Sequence, residues 1–165
     1  MMEKINEKII ELKKIESIQK KIRGKKKVLV GGCFDVIHYG HLSFLKKAKE
    51  AGEILLVLLE SDKFIRIKKK RGPIHTQKER AEIIASLAFV NYVILLPFLK
   101  NEAQYLEIVQ ILSPEIIAIT QGDPLMKNKV SQAKLTGGNV KIVSKLEPRF
   151  SSSQIISQEK PSLKK

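Results

Sequence analysis

Glu53–Leu59 reads Glu-Ile-Leu-Leu-Val-Leu-Leu, a run that is apolar on both faces of an extended chain. A strand with no polar side must be covered on both sides, and that is the place of an inner strand in a parallel sheet. Four more short apolar runs follow the same pattern: Lys27–Val30, Tyr92–Leu96, Glu115–Thr120 and Val140–Val143. Between them lie segments with helical spacing of apolar residues. One is Tyr39–Ala51, closed by Gly52, and another is Asn101–Leu112, closed by Ser113-Pro114. A third follows Thr76, where Glu79 completes a capping box and Ile83, Ile84, Leu87 and Ala88 are the expected buried face. A short helix ends near Leu135.

Strands alternating with helices over short links predict an α/β, Rossmann-like fold: a five-stranded parallel sheet with helices on both faces. Glu3–Ile22 precedes it. Ile5, Ile9, Leu12, Ile15 and Ile22 recur near helical spacing, so an amphipathic N-terminal helix is expected, stopped near Gly24. The expected organisation is therefore an N-terminal helix (1–24), a main domain (25–157) and a flexible tail (158–165). Ligands of such sheets bind beyond the carboxyl ends of the strands.

At that edge the chain reads Val28-Leu29-Val30-Gly31-Gly32-Cys33-Phe34-Asp35-Val36-Ile37-His38-Tyr39-Gly40-His41. Gly31 and Gly32 allow a sharp turn and close approach of a phosphate to the backbone. The helix that starts next offers free N–H groups and a positive dipole end. His38 and His41, three apart, face one point, and Gly40 between them leaves room for an anion. A metal site with Cys33 or Asp35 is the competing reading of the same pair. Cys33, the only cysteine, is taken as structural; it excludes an intrachain disulfide and fits a cytoplasmic protein.

The formal net charge of +14 favours anionic partners. No apolar run approaches the roughly 20 residues of a bilayer span, so no membrane role is expected. The pattern also lacks RRM, KH or zinc-knuckle signatures, which argues against nucleic acid. Six of the nine residues Lys63–Arg71 are basic, in a segment read as a loop over the histidine edge.

His38-Tyr39-Gly40-His41 resembles the HxGH signature of the cytidylyltransferase-like nucleotidyltransferases, over roughly Lys27–Ile156. The resemblance implies that an acceptor phosphate attacks the α-phosphorus of an NTP, brought with Mg²⁺, and that pyrophosphate leaves. It assigns His38 and His41 to the phosphates, with Lys68 and Lys70 from the basic segment. It puts Gly32, Cys33, Phe34, Asp35 and Gly40 at the nucleotide, with Asp35 fixing the turn or a histidine. Arg80 is then expected to reach the acceptor or phosphates, Gly122-Asp123 the ribose or base edge, and Ser151-Ser152-Ser153 the phosphates.

The pattern looks nearest to heptose 1-phosphate adenylyltransferases, which favours ATP and a sugar phosphate, with CTP as the other donor. It also resembles archaeal-type FAD synthetases and glycerol-3-phosphate cytidylyltransferases. Some of the latter carry an arginine where this chain has Leu146. The N-terminal helix and the apolar sheet edge offer a homodimer surface, as in relatives. The reading from a different class is a non-catalytic nucleotide or nucleic-acid binding protein.

Overall fold

The computed structural model describes residues 2–145 and Ile155. In chain order the elements are α1 (Met2–Asn6), β1 (Ile9–Glu11), a 3₁₀ turn (Leu12–Lys14), α2 (Ile15–Lys21), β2 (Lys27–Gly32), α3 (Tyr39–Lys49) and β3 (Ile54–Leu59). They continue with α4 (Asp62–Lys69), α5 (Gln77–Ala85), β4 (Tyr92–Leu95), α6 (Glu102–Leu112), β5 (Ile116–Thr120), α7 (Met126–Leu135) and β6 (Asn139–Ser144). The six strands form one sheet in the order β1-β4-β3-β2-β5-β6, and every neighbouring pair is parallel.

Winding runs outward from β2 through β3 to β4 and then returns to β5 on the other side of β2. The crevice of such a sheet opens where the winding reverses, above β2 and β5. The Gly31-Gly32 turn and the Gln121–Asp123 turn follow these two strands. All six positions of β3 are buried. Leu55, Val57 and Leu59 pack with Leu45 and Ala48 of α3 and with Ala81 and Ile84 of α5. Leu56 and Leu58 pack on the opposite side with Ile18 of α2, Ile108 and Leu112 of α6 and Ala133 of α7. Each such leucine contributes roughly 2 kcal/mol by burial.

The N-terminal segment differs from the single helix expected. Ile9–Glu11 forms a sixth, edge strand paired with Val93–Leu95, so the sheet has six strands and not five. Ile9 packs with one side of the sheet and Ile10 with the other. A helical stripe cannot serve two opposite layers, whereas adjacent strand residues do so naturally, and β-branching favours the extended form. The Lys8 carbonyl accepts from the Val93 N–H at 2.8 Å, and Lys8 Nζ donates to the Ala85 carbonyl at 3.0 Å. Only Ile15–Lys21 is a longer helix, and Ile15, Ile18 and Ile22 are buried in the core of the same chain. Ile9–Glu11 thus belongs to the sheet, and Ile15, Ile18 and Ile22 to its core.

The basic segment is also not a loop. Ser61 caps α4, accepting from the Phe64 N–H at 3.2 Å, and Lys70 ends the helix in the left-handed conformation (φ 54°). The capping box on α5 is present as expected. Its buried face, however, is Arg80, Ala81, Ile84 and Ala85, while Ile83 and Ala88 face outward.

Candidate active site

The turn after β2 is shaped by Phe34, which is left-handed (φ 46°) and has its ring buried in the α3/α5 layer. A Cβ on Gly32 would stand 2.9 Å from that ring, whereas one on Gly31 would meet Leu58 at an ordinary 3.9 Å. Gly32→Ala should therefore destabilise the fold by about 1–3 kcal/mol through overpacking, and Gly31→Ala should not. Thermal melts of the two variants check this, and equal melting temperatures would remove the packing argument. Phe34 also sets His41 from below, edge to face at 5.2 Å.

His38 is the N-cap of α3. Its Nδ1 accepts from the His41 N–H at 3.4 Å, so the proton of the neutral ring sits on Nε2. The His38 and His41 rings stack at 3.8 Å with 23° between their planes. Burial lowers the pKa of both. His41 falls to about 4 through burial first and its neighbour His38 second, with the Val36 backbone opposing. At neutral pH both rings are therefore uncharged; His38 carries its N–H on Nε2 at the helix start, and His41 Nδ1 is buried with no hydrogen-bond partner among the described residues. Gly40 is half-buried in the first turn of α3.

Asp35 fixes neither histidine. Its Oδ2 accepts from Arg71 Nη1, and its Oδ1 accepts from the N–H groups of Ile74 (2.8 Å) and His75 (3.3 Å). It clamps the Arg71–His75 segment against the turn. Arg80 lies wholly inside the fold. It donates to Asp62 Oδ1 at 2.7 Å, to the His75 carbonyl at 3.0 Å and to the Cys33 carbonyl. The structure places it as a strut beneath the turn rather than on an open face. Burial, then the nearby Glu60 carboxyl, raises the Cys33 thiol; it stays protonated, as a structural cysteine does.

Lys68 and Lys70 are exposed at the end of α4; among the lysines of that segment it is Lys69 whose charge acts on Cys33, beside those of Glu60, Arg80 and Asp35. Gly122 is left-handed (φ 80°) in the turn after β5. Asp123 accepts from the Leu125 N–H at 2.8 Å and pairs with Lys129 Nζ at 2.7 Å. Ser151, Ser152 and Ser153 lie outside the described residues. Among those described, no three His, Cys, Asp or Glu side chains are grouped to hold a metal, so the metal reading of the histidine pair has no ligand set here.

A family model described as cytidylyltransferase-like matches residues 29–162. The chain belongs to the cytidylyltransferase-like family. It is 36% identical over 137 residues to the bifunctional protein HldE of Citrifermentans bemidjiense, across 81% of this chain and 27% of that protein. It is 40% identical over 106 residues to the FAD synthase of Thermococcus kodakarensis, across 64% of this chain and 66% of the synthase. The chain thus spans about a quarter of the length of the HldE relatives it matches. The lipopolysaccharide core biosynthesis protein of Thermoplasma volcanium GSS1 superposes with a TM-score of 0.60 at 27% identity, over 75% of this chain and 98% of that one.

Two groups of this cytidylyltransferase-like chain escaped the sequence reading. One is Asp62, whose pairing with Arg80 ties α4 to α5. The other is Glu60, 8% exposed, whose Oε1 accepts from the Tyr105 hydroxyl at 2.9 Å. Burial raises its pKa from 4.5 to about 7, against the Tyr105 hydrogen bond and the charges of Arg80 and Lys129. An acid raised in this way holds its proton in the folded chain after the unfolded chain has released it. Its contribution is then complete below pH 4.5 and is lost as the pH rises to about 7, an expected fall of about 3 kcal/mol. Glu60→Gln should flatten that slope in denaturant melts between pH 5 and pH 8. An unchanged slope would show that another group produces it.

Proposed function

We propose that the chain is a nucleotidyltransferase that moves a nucleoside monophosphate from an NTP to a phosphorylated small molecule. The observation that carries this is the stacked, uncharged His38–His41 pair at the start of α3, directly beyond the Gly32 turn. An oxygen of the acceptor phosphate forms a new bond to the α-phosphorus. The bond to the α–β bridging oxygen breaks, and its electron pair leaves with pyrophosphate. This chemistry asks for positioning and charge stabilisation, not a covalent nucleophile. The His38 and His41 rings and the positive dipole end of α3 supply it to the α/β phosphates. Mg²⁺ enters as the NTP complex, which needs no protein cage.

ATP with a sugar 1-phosphate is the favoured pair. It is supported by the pattern of the turn and by similarity to a protein of lipopolysaccharide core biosynthesis. The 40% identity to an FAD synthase supports FMN as the second acceptor. Pyrophosphate release should be measured with ATP and CTP against a heptose 1-phosphate, FMN and glycerol 3-phosphate. Release with one pair is expected. A chain that binds NTP tightly but turns over none of these pairs would be a binding protein, and the proposal would fall.

A further inference from the structure

We infer that Glu60 accepts a hydrogen bond from a hydroxyl of the phosphorylated acceptor and so selects for a hydroxylated substrate; Tyr105 holds the carboxyl for that task. This rests on the transferase reading above. Glu60 is the first residue beyond β3, and its N–H donates to the Gly32 carbonyl at 3.1 Å. It therefore stands beside the phosphate turn, on the carboxyl edge where ligands of such sheets sit. It continues the row of Leu56 and Leu58, which faces α6 and α7. Phe34 and the histidine it supports pack with the other layer. The turn thus has imidazoles on one side and a carboxyl on the other.

Glu60 Oε1 is held by Tyr105, but Oε2 is buried and has no hydrogen-bond partner among the described residues. A buried orphan acceptor is costly and calls for a cause. The cations that act on Glu60 are committed elsewhere, Arg80 to Cys33, His75 and Asp62, and Lys129 to Asp123. The remaining titratable neighbour is the protonated Cys33 thiol. A ligand group is the fitting partner. This carboxyl exchanges its proton near neutrality, so the partner has to suit both forms. A hydroxyl does so because it both donates and accepts. A phosphate would face a carboxylate, and an N–H would face an acid proton. The substrate class is a hydroxylated phosphate monoester, with its phosphate aimed at the NTP α-phosphorus beside the histidines and a hydroxyl at Glu60.

The test compares wild type, Glu60→Leu and Tyr105→Phe with a heptose 1-phosphate, glycerol 3-phosphate and FMN. Two readouts are used: steady-state pyrophosphate release, and titration of each acceptor into protein saturated with a non-hydrolysable ATP or CTP analogue. In Glu60→Leu, whose side chain neither donates nor accepts, the acceptor KM and Kd should rise about tenfold, with the nucleotide KM within about twofold. Tyr105→Phe should shift the acceptor in the same direction by a smaller factor. Unchanged acceptor values, as expected if a trapped water fills the site, overturn the assignment. So does an equal rise for acceptor and nucleotide. Acceptor binding that weakens in Glu60→Leu without any turnover in wild type would sink the transferase reading and keep this one. Failure of all three acceptors to bind wild type overturns both.

Discussion

His41→Ala should lower the rate of pyrophosphate release by about 10²–10³-fold, the usual effect of removing one preorganised donor from a developing negative charge. The size follows from where the ring sits. It is packed against Phe34 and His38 and held uncharged by burial, so its N–H acts in a site already shielded from water. His41→Asn keeps an N–H donor of shorter reach and should recover part of the loss. A base whose folded pKa is depressed supports the fold fully above its unfolded value of 6.5, and that support is lost as the pH falls towards about 4. His41→Ala should lack this loss, so relative to wild type the variant should gain stability as the pH falls from 7.5 to 5, while the opposite slope from Glu60 is common to both proteins. Steady-state kinetics at pH 7.5 and melts at pH 5 and 7.5 read both effects. Full activity in His41→Ala would end the mechanism.

Arg80→Ala is the second large effect, and it falls on stability. Removing a wholly buried guanidinium leaves the Cys33 and His75 carbonyls and the Asp62 carboxylate without a donor. Loss of one side of such a buried pair costs about 3–5 kcal/mol. For a chain of this size that is a fall in Tm of about 10 °C or more. Arg80→Lys should not rescue it, because one ammonium cannot span three acceptors set in a plane. A variant with unchanged Tm but a weakened NTP KM would instead put Arg80 at the phosphates.

Those two residues show how the chain reveals itself unevenly. His38 and His41 were legible because a glycine turn and a helix start are local features, and three-residue spacing on a helix fixes which side chains meet. Arg80 was legible as a position but not as a role. Whether an arginine points outward or inward depends on Asp62 and on carbonyls 47 and 5 residues away in sequence, and no local pattern encodes that. The inner strands could be read because β3 is apolar at every position. β1 could not, because three strand residues flanked by helical turns also match a helical period. The Glu60 site was hidden for a similar reason: its partner Tyr105 is 45 residues away.

The 3.8 Å stack of His38 and His41 carries a consequence for the transfer proposed above, in how the charge of a triphosphate donor is balanced. Two imidazoles that close cannot both become cations without strong mutual repulsion. The pair can therefore store one positive charge at most, against the several negative charges of a triphosphate. In that proposed transfer, the pair gives direction and leaves most of the neutralisation to the exposed lysines of α4 and to a metal ion brought with the NTP. Those lysines face water and are screened by salt. Ionic strength should thus govern how fast the nucleotide arrives, while the chemical step, once the phosphates sit against the two rings, runs almost independently of it.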